Sequence, residues 1–544
     1  MDSSCTVGNA AHISAINLGI NAGTNTVRGC ICASMNAGQF VTYGEFNALD
    51  DLIIEAVNLG VDSASGQGSD VAGAISTDQI GFRSGCQLGN HATFSLSNLG
   101  SFDSLNPYTS VTTPNFVGTL GVSQLHCYGT FQAGDYLRVI VGNVGLQNSY
   151  GYQTDFVGVA NTSQVRFDNT CILGDNAGFQ ISNIGFSSND SSGSVIGVTL
   201  SGNQFRIVDA LQAGDQFGLA ISNAGISDNS GDNNLVGYIA DSQFRADNGC
   251  TLGKDAAIAI SNFGVYSGSG TSNQVGFVGN GQFLINGQFT ADNNLGLFVA
   301  NRGENTGNVN SNAGLISGSQ VHFQNDCNLK DAVIAAFNSG NVTNSQIVFD
   351  QGFNITSGKA TIQAINEGTL GEYGINILGN SLGGNANISL GNSSLNINTA
   401  FSTFTIGELN GDATSTAQSR PALIIDTDAN TNGDFAGTIQ NYPFIESTLT
   451  KKGIGSQKLS GTNTYTGLTT IQEGSLIVTG SLAGDVVIDP NGTLKGTGTI
   501  GGDVVSAGTV SPGESIGTIT ILGNYTNNKG DYAKSRSVFR FSPH

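Results

Sequence analysis

Residues 164–185 read QVRFDNTCILGDNAGFQISNIG, and the first two thirds of the chain repeats this stretch. A Gln followed by an apolar residue recurs at Gln39, Gln79, Gln124, Gln164, Gln204, Gln243, Gln282, Gln320 and Gln346. An Asn-x-Gly closes each copy, at Asn58, Asn98, Asn143, Asn183, Asn223, Asn262, Asn301, Asn338 and Asn366. The first seven Gln-to-Asn separations are all 19 residues, and the last two are 18 and 20. From one Gln to the next the distance wanders between 38 and 45 and then drops to 26, so the variation lies after the Asn-x-Gly. A fixed segment alternates with a free one.

Self-similarity at a fixed period, with β-type residues, many glycines and no helical periodicity, marks a solenoid whose units bury their apolar faces on one another. The fold expected is all-β, a parallel β-helix. A stacked amide can donate to the coil on one side and accept from the other, so the asparagines from Asn58 to Asn301 are expected to form a ladder. The glycine two residues later is expected to supply a positive-φ corner. Whether the segment after each Asn-x-Gly forms a second coil or an excursion is open at this level.

A chain of 544 residues is too long for one compact core, but a solenoid has a linear core and no such limit. Charged residues are 11% and the net charge is −21, which disfavours nucleic acid as a partner and suits a soluble, extracellular surface. No apolar run approaches the ~18 residues of a membrane helix.

Four cysteines, Cys86, Cys171, Cys250 and Cys327, lie seven residues after the Gln of their copies. The same position holds Phe46, Phe131, Leu211, Phe289 and Phe353 in the other copies, so small and large side chains share one column, as a stacked core requires. Cysteines two coils apart stand roughly 9–10 Å from one another, too far for a disulfide. They are read as buried free thiols. Cys30 and Cys32 lack the partners of a metal site, and no cofactor or metal is expected.

Residues 1–370 form the repetitive part, with units of about 40 residues, and 371–448 keep the strand signal in less regular coils. Connecting stretches such as SSNDSSGS (187–194) are solvated turns, and the aromatic-bearing loop around Tyr108 is a candidate binding loop. DTDANTNGD (426–434) begins like a calcium loop, but Ile439 stands where a bidentate Glu is needed, so an Asx-rich turn is the reading.

LTKKGIGSQKLSGTNTYTGLTTIQEGSLIV (449–478) resembles the passenger-associated repeat of bacterial autotransporters. It has the Leu-Thr-Lys-x-Gly opening, the Leu-x-Gly-x-Asn-Thr-Tyr-Thr-Gly turn and the Gly-x-Leu-x-Val strand. The likeness continues through GTLKGTGTIGGDVVSAGTVSPGESIGTITILGNYT (492–526), which is similar to the end of such a β-helix. The resemblance implies a right-handed parallel β-helix, C-terminal coils over 449–526, and a place at the bacterial cell surface, in the outer membrane or secreted. In that family a C-terminal barrel carries the passenger outward. Neither a barrel-strand pattern nor a charged-then-apolar leader is read here. The segment 527–544, with Lys534, Arg536 and Arg540, breaks the composition; it reads as an aberrant, disordered basic tail left by a shifted frame or a truncated gene.

The candidate catalytic carboxylates form a column eleven residues after the Gln: Asp50, Asp135, Asp175, Asp215 and Asp331. One carboxylate per unit at a Gly-containing turn is turn chemistry rather than a paired acid and base. The histidines are scattered and expected at the surface, and no Ser-His-Asp pattern is seen. A second column, His126, Arg166, Arg206 and Arg245, follows the Gln by two residues, which on a strand places it on the face of the Gln and toward solvent. Asp168, Asp209 and Asp247 stand close enough to neutralise it; the sharper reading is a linear site for an acidic glycan. The function expected is therefore a non-catalytic, monomeric passenger, an adhesion stalk contacting a host surface glycan or protein. The alternatives are a polysaccharide-cleaving β-helix enzyme and a truncated, non-exported remnant.

Overall fold

A computed structural model describes residues 4–21, 31–36, 38–63, 71–104, 116–149, 155–188, 195–228, 230–306, 312–379, 384, 386–390, 393–399, 402–420, 422–513, 517–528, 532–533 and 537–540. Tyr108 and Cys30 lie outside them. Every regular element among these residues is a β-strand. The chain divides into two compact units, one of residues 1–323, 337–344 and 367–371, the other of 324–336, 345–366 and 372–544.

In the first unit each repeat is a single coil. One turn runs through Leu125–Cys127 after the Gln, Phe131–Ala133 at the cysteine column, the long strand Arg138–Ser149 through the Asn-x-Gly, and the short return strand Asp155–Val157. Each pairs in parallel with its counterpart in the next repeat: Leu125 with Val165, Phe131 with Cys171, Asn143 with Asn183, Asp155 with Val195. The free segment is thus the far side of the same turn. Parallel β-helix is the architecture of both units.

Three sides enclose the main core. Phe167, Cys171, Phe179 and Ile181 point inward from them, and all four are at most 3% exposed. Phenylalanines stack from coil to coil, with ring centroids 5.8 Å apart for Phe167 and Phe205, 5.5 Å for Phe205 and Phe244, and 5.0 Å for Phe244 and Phe283. Burial stabilises by about 1.5–3 kcal/mol per such side chain, so each coil contributes through its neighbours rather than alone. The cysteine column is continuous: Cys86 pairs with Phe131, Phe131 with Cys171, Cys171 with Leu211 and Leu211 with Cys250.

Cys86, Cys171, Cys250 and Cys327 are free and buried. Burial pushes the Cys86, Cys171 and Cys327 thiols well above their usual range. Since the thiolate is the reactive form, a native sample should label slowly at these four and a denatured one rapidly, which a thiol reagent followed by peptide mapping reads. Fast native modification at any of them would contradict the column.

Past the core the coil narrows to a waist. A Cβ on Gly145 would stand 2.4 Å from Gly158 N and 2.6 Å from Val117 O, so only glycine lets the long strand meet the return strand here. The positive φ belongs to the glycine opposite: 62° at Gly118, 66° at Gly158 and 64° at Gly237. The Asn-x-Gly glycine is therefore a close-approach residue inside a strand, which corrects the corner assigned to it above. Two amide ladders flank this waist. Asn Nδ2 donates to the Oδ1 of the following coil, at 2.7 Å from Asn58 to Asn98 and from Asn98 to Asn143, 2.8 Å from Asn143 to Asn183, and 3.1 Å from Asn183 to Asn223. Asn223 donates to Asn262 at 2.8 Å and Asn262 to Asn301 at 2.9 Å. Asn143 and Asn262 each also donate to the waist carbonyl, Gly118 O or Gly237 O, at 2.9 Å. The Gln amides run the opposite way: Gln164 Nε2 donates to Gln124 Oε1 of the preceding coil at 2.9 Å and to Ser182 O at 2.7 Å. These glutamines are fully buried, so the Gln does not share the outward face of the Arg column as expected.

In the second unit the coils tighten. Leu449 pairs with Thr469, Thr469 with Val486, and Leu482 with Ile500. The repeat motif has visible work to do. Lys451 is fully buried, and its Nζ donates to the carbonyls of Lys452 at 2.7 Å, Gly453 at 2.8 Å and Glu473 at 3.1 Å. Burial lowers its pKa to about 8, against the opposing pull of Asp426 and Glu473. Asn463 accepts from Ile439 N at 3.0 Å and donates to Ser481 O at 3.1 Å, tying three successive coils, while the buried Tyr465 hydroxyl meets Thr469 Oγ1 at 2.6 Å. Around 426–434, Asn432 begins the strand Asn432–Phe435, and no cluster of metal-ligating side chains occurs among the described residues. Within the segment read as a disordered tail, Tyr532–Ala533 and Ser537–Arg540 are strands, antiparallel to Tyr525–Asn527 and Thr518–Ile521 respectively.

Candidate binding faces

The strand after each Gln carries the basic column. His126 pairs with Arg166, Arg166 with Arg206 and Arg206 with Arg245, and Arg245 is followed by Leu284. Three arginines thus follow one another at the strand spacing of about 4.8 Å, and their charges would repel one another unless neutralised. They are neutralised. Arg166 Nε donates to Asp168 at 2.5 Å; Arg206 Nη2 reaches Asp247 of the next coil at 2.9 Å, and Arg245 Nε meets the same carboxylate at 2.6 Å. Asp209 takes Thr170 Oγ1 at 2.5 Å and Asn248 Nδ2 at 2.9 Å instead of Arg206.

His126 is not at the surface. It is 5% exposed, with Nδ1 3.3 Å from Asp78 Oδ1 and Nε2 2.9 Å from Asp168 Oδ2. Tyr128 stacks on its ring at 3.7 Å and donates its hydroxyl to Asp78 at 3.1 Å. Arg83 lies 4.3 Å over the Tyr128 ring and closes on Asp78 at 3.1 Å. Sequence reasoning missed Asp78, Arg83 and Tyr128. Asp78 and Arg83 belong to the preceding copy, and only the register of 40-odd residues brings them to His126. The cluster pairs both of its carboxylates, Asp78 and Asp168, with a cation or a hydroxyl.

Burial works to raise the carboxyl pKa of Asp247, but hydrogen bonds from Arg245 and Arg206, and their charges, outweigh it and hold the group below the usual aspartate range. A carboxylate whose folded pKa is depressed adds stability that is present above its unfolded value of about 3.9 and lost as pH falls through the folded value. The urea midpoint is therefore expected to fall between neutral pH and about pH 3, and Asp247→Asn to flatten part of that fall. An unchanged pH profile in the variant would show that the pairs do not support folding.

The Asp column is consumed by the backbone. Asp50, Asp135, Asp175 and Asp215 accept the N–H of Asn90, Asp175, Asp215 and Lys254 in the next coil at 2.7 to 2.8 Å. Asp331 does the same for Lys359 at 2.8 Å.

A polar groove of about 260 Å³ opens on the outward face of the cysteine sheet, lined by Glu45, Asn47, Ser84, Gln87, Thr130 and Gln132 among others. Asn47, Gln87 and Gln132 stack in register there. Side-chain amides and hydroxyls on a rigid sheet offer donors and acceptors at fixed spacing, and the Glu45 carboxylate adds a negative charge that disfavours an anionic ligand.

Both units are parallel β-helices, and the polar columns of the first serve its own stacking. The second carries a turn whose carbonyls are capped by Lys451. Residues 449–478 match the family model of the passenger-associated-transport-repeat, and this segment is such a repeat. An extracellular serine protease of Serratia marcescens is 45% identical over 75 residues, covering 14% of this chain and 7% of the relative. The adhesin BmaC autotransporter of Brucella suis biovar 1 (strain 1330) is 49% identical over 70 residues, 12% of this chain and 2% of the relative. The chain thus matches only a small part of either curated relative. No solved structure matches it significantly.

Proposed function

We propose that the chain is a surface-exposed or secreted autotransporter passenger that acts by binding rather than by catalysis, an adhesion stalk for a host glycan or protein. The observation that carries this reading is the fate of the acidic column. Its carboxylates accept backbone N–H groups of the following coil, so the residues a glycan-cleaving enzyme would need are engaged in holding the turns together. The likeness to a protein named an adhesin supports the same reading. The amide and hydroxyl groove around Gln87 and Gln132 suits a neutral sugar better than the neutralised Arg column suits an acidic one.

The test is retention on immobilised neutral and acidic glycans at low and physiological salt. Gln87→Ala with Gln132→Ala is expected to abolish binding to a neutral glycan, whereas Arg166, Arg206 and Arg245 changed together to Ser should leave retention unaltered. Loss of binding in the arginine variant alone would move the site to the basic column. Glycan cleavage by the purified chain would overturn the non-catalytic reading.

A further inference from the structure

The long strands have their polarity reversed beyond the waist. In a sheet with one wet face, apolar side chains point in and polar ones out. Here Asn183 and Ser187 point inward and are at most 1% exposed, while Ile184 and Phe186 between and beside them are 40% and 42% exposed. The reversal holds through the neighbouring coils. Leu146 pairs with Phe186, Phe186 with Ile226 and Ile226 with Val265, and beside this column Val144, Ile184, Ala224 and Phe263 form a second. The result is a two-column apolar ridge on the outside of the solenoid. It stops where Arg302 and Glu304, an ion pair, replace the apolar residues. Contiguous exposed apolar surface of this kind marks an interaction site.

The same face carries a matching depression. Toward the start of the strands stand Gly178 and Gly218, with nothing within 4 Å of where a Cβ would lie and no left-handed φ to require glycine. With Ala220, Ala257 and Ala259 they floor a trough of about 400 Å³, closed by Arg138 and Ile140 at one end and by Phe298, 53% exposed, at the other. Between ridge and trough runs a column of Ser182, Ser222 and Ser261.

We propose that this face pairs with the same face of a second copy of the chain, each ridge seated in the other's trough. A two-fold axis parallel to the solenoid axis and lying over the serine column exchanges the two sides of the face and keeps the level of each coil. Phe186 of one copy then meets Gly178 of the other, Ile184 lies over the stem of Gln180, and Ile226 meets Gly218. The contact is self-complementary, as a closed dimer requires. Its size is sufficient: strands about 33–40 Å long in a five-coil stack about 24 Å tall offer roughly 800–950 Å² per copy, against about 800 Å² per partner in a standard interface. Charge points the same way. At a net −21 two copies repel elsewhere, and this face is nearly uncharged. The pairing replaces the monomer expected from the sequence, and it does not depend on the adhesion reading.

Sedimentation of the full chain up to roughly 100 µM tests it. The wild type is expected to be a dimer. Phe186→Asp, which removes a ridge side chain already in solvent, and Gly218→Gln, which fills the trough where there is open space, should each raise the dissociation constant about tenfold or more without altering the circular dichroism. Ser222→Cys should cross-link to itself on mild oxidation, because it lies on the axis and the native cysteines of the column are buried. A chain monomeric throughout, a dimer weakened by neither variant, or a dimer without the Ser222→Cys cross-link overturns the proposal. So does a monomer that floats with phosphatidylcholine vesicles, which would assign the ridge to lipid.

Discussion

Replacing Asn183 by Leu is expected to cost about 3 kcal/mol and to loosen the coils on both sides of it. Asn183 accepts from Asn143 at 2.8 Å and donates to Asn223 at 3.1 Å, and all three are fully buried. Leucine fills the volume but answers neither neighbour. One N–H of Asn143 and the Oδ1 of Asn223 then lose their partners, each at about 1–3 kcal/mol, partly offset by the apolar burial gained. Because a solenoid is stabilised by nearest-neighbour contacts, the damage should be local. Hydrogen exchange resolved by peptide should show faster exchange in the strands Arg138–Ser149 and Gly218–Ser227 and unchanged exchange in Thr469–Val478. Equal protection throughout would mean that the amide is not needed where it lies.

A single methyl group at the waist should do comparable harm. Gly145→Ala places a Cβ against Gly158 N and Val117 O, both backbone atoms that cannot rotate aside. The long and return strands must separate, and overpacking of this kind costs about 3 kcal/mol, the upper part of its usual range. The same change at Gly218, where the Cβ position is open, should be neutral or slightly stabilising, since glycine inside a strand is itself unfavourable. Chemical denaturation of the two variants side by side separates position from composition. Equal stabilities would refute the waist.

The asparagine ladder was legible because its residue type recurs at one offset while everything around it changes, and only a repeated contact between like residues enforces that. The cysteine column was legible for a related reason: small and large side chains share a fixed volume along it, as in the in-register pairs Cys86 with Phe131 and Cys171 with Leu211. The glutamines gave the frame but not their own burial. Alternation alone put Gln164 and Arg166 on one face, whereas Gln164 sits just ahead of the strand Val165–Phe167, where that alternation need not apply. The Asp78, His126 and Asp168 cluster was invisible because it joins residues from three coils, and the coil length was open until the register was known. The ridge was hidden by the usual rule of apolar side chains inward, which here yields to the amide ladder inside.

One repeat of about 40 residues makes one turn of a parallel β-helix, so the rise per repeat is a single strand spacing. Asn47 and Thr290 lie in one outward column, joined through Gln87, Gln132, Ile172, Gln212 and Thr251 by successive in-register pairs. Spin labels on cysteines placed at Asn47 and Thr290 in the full chain, measured by double electron–electron resonance in a background of unlabelled protein, should be about 29 Å apart, six strand spacings. A distance near 58 Å, two turns for every repeat, would contradict the account.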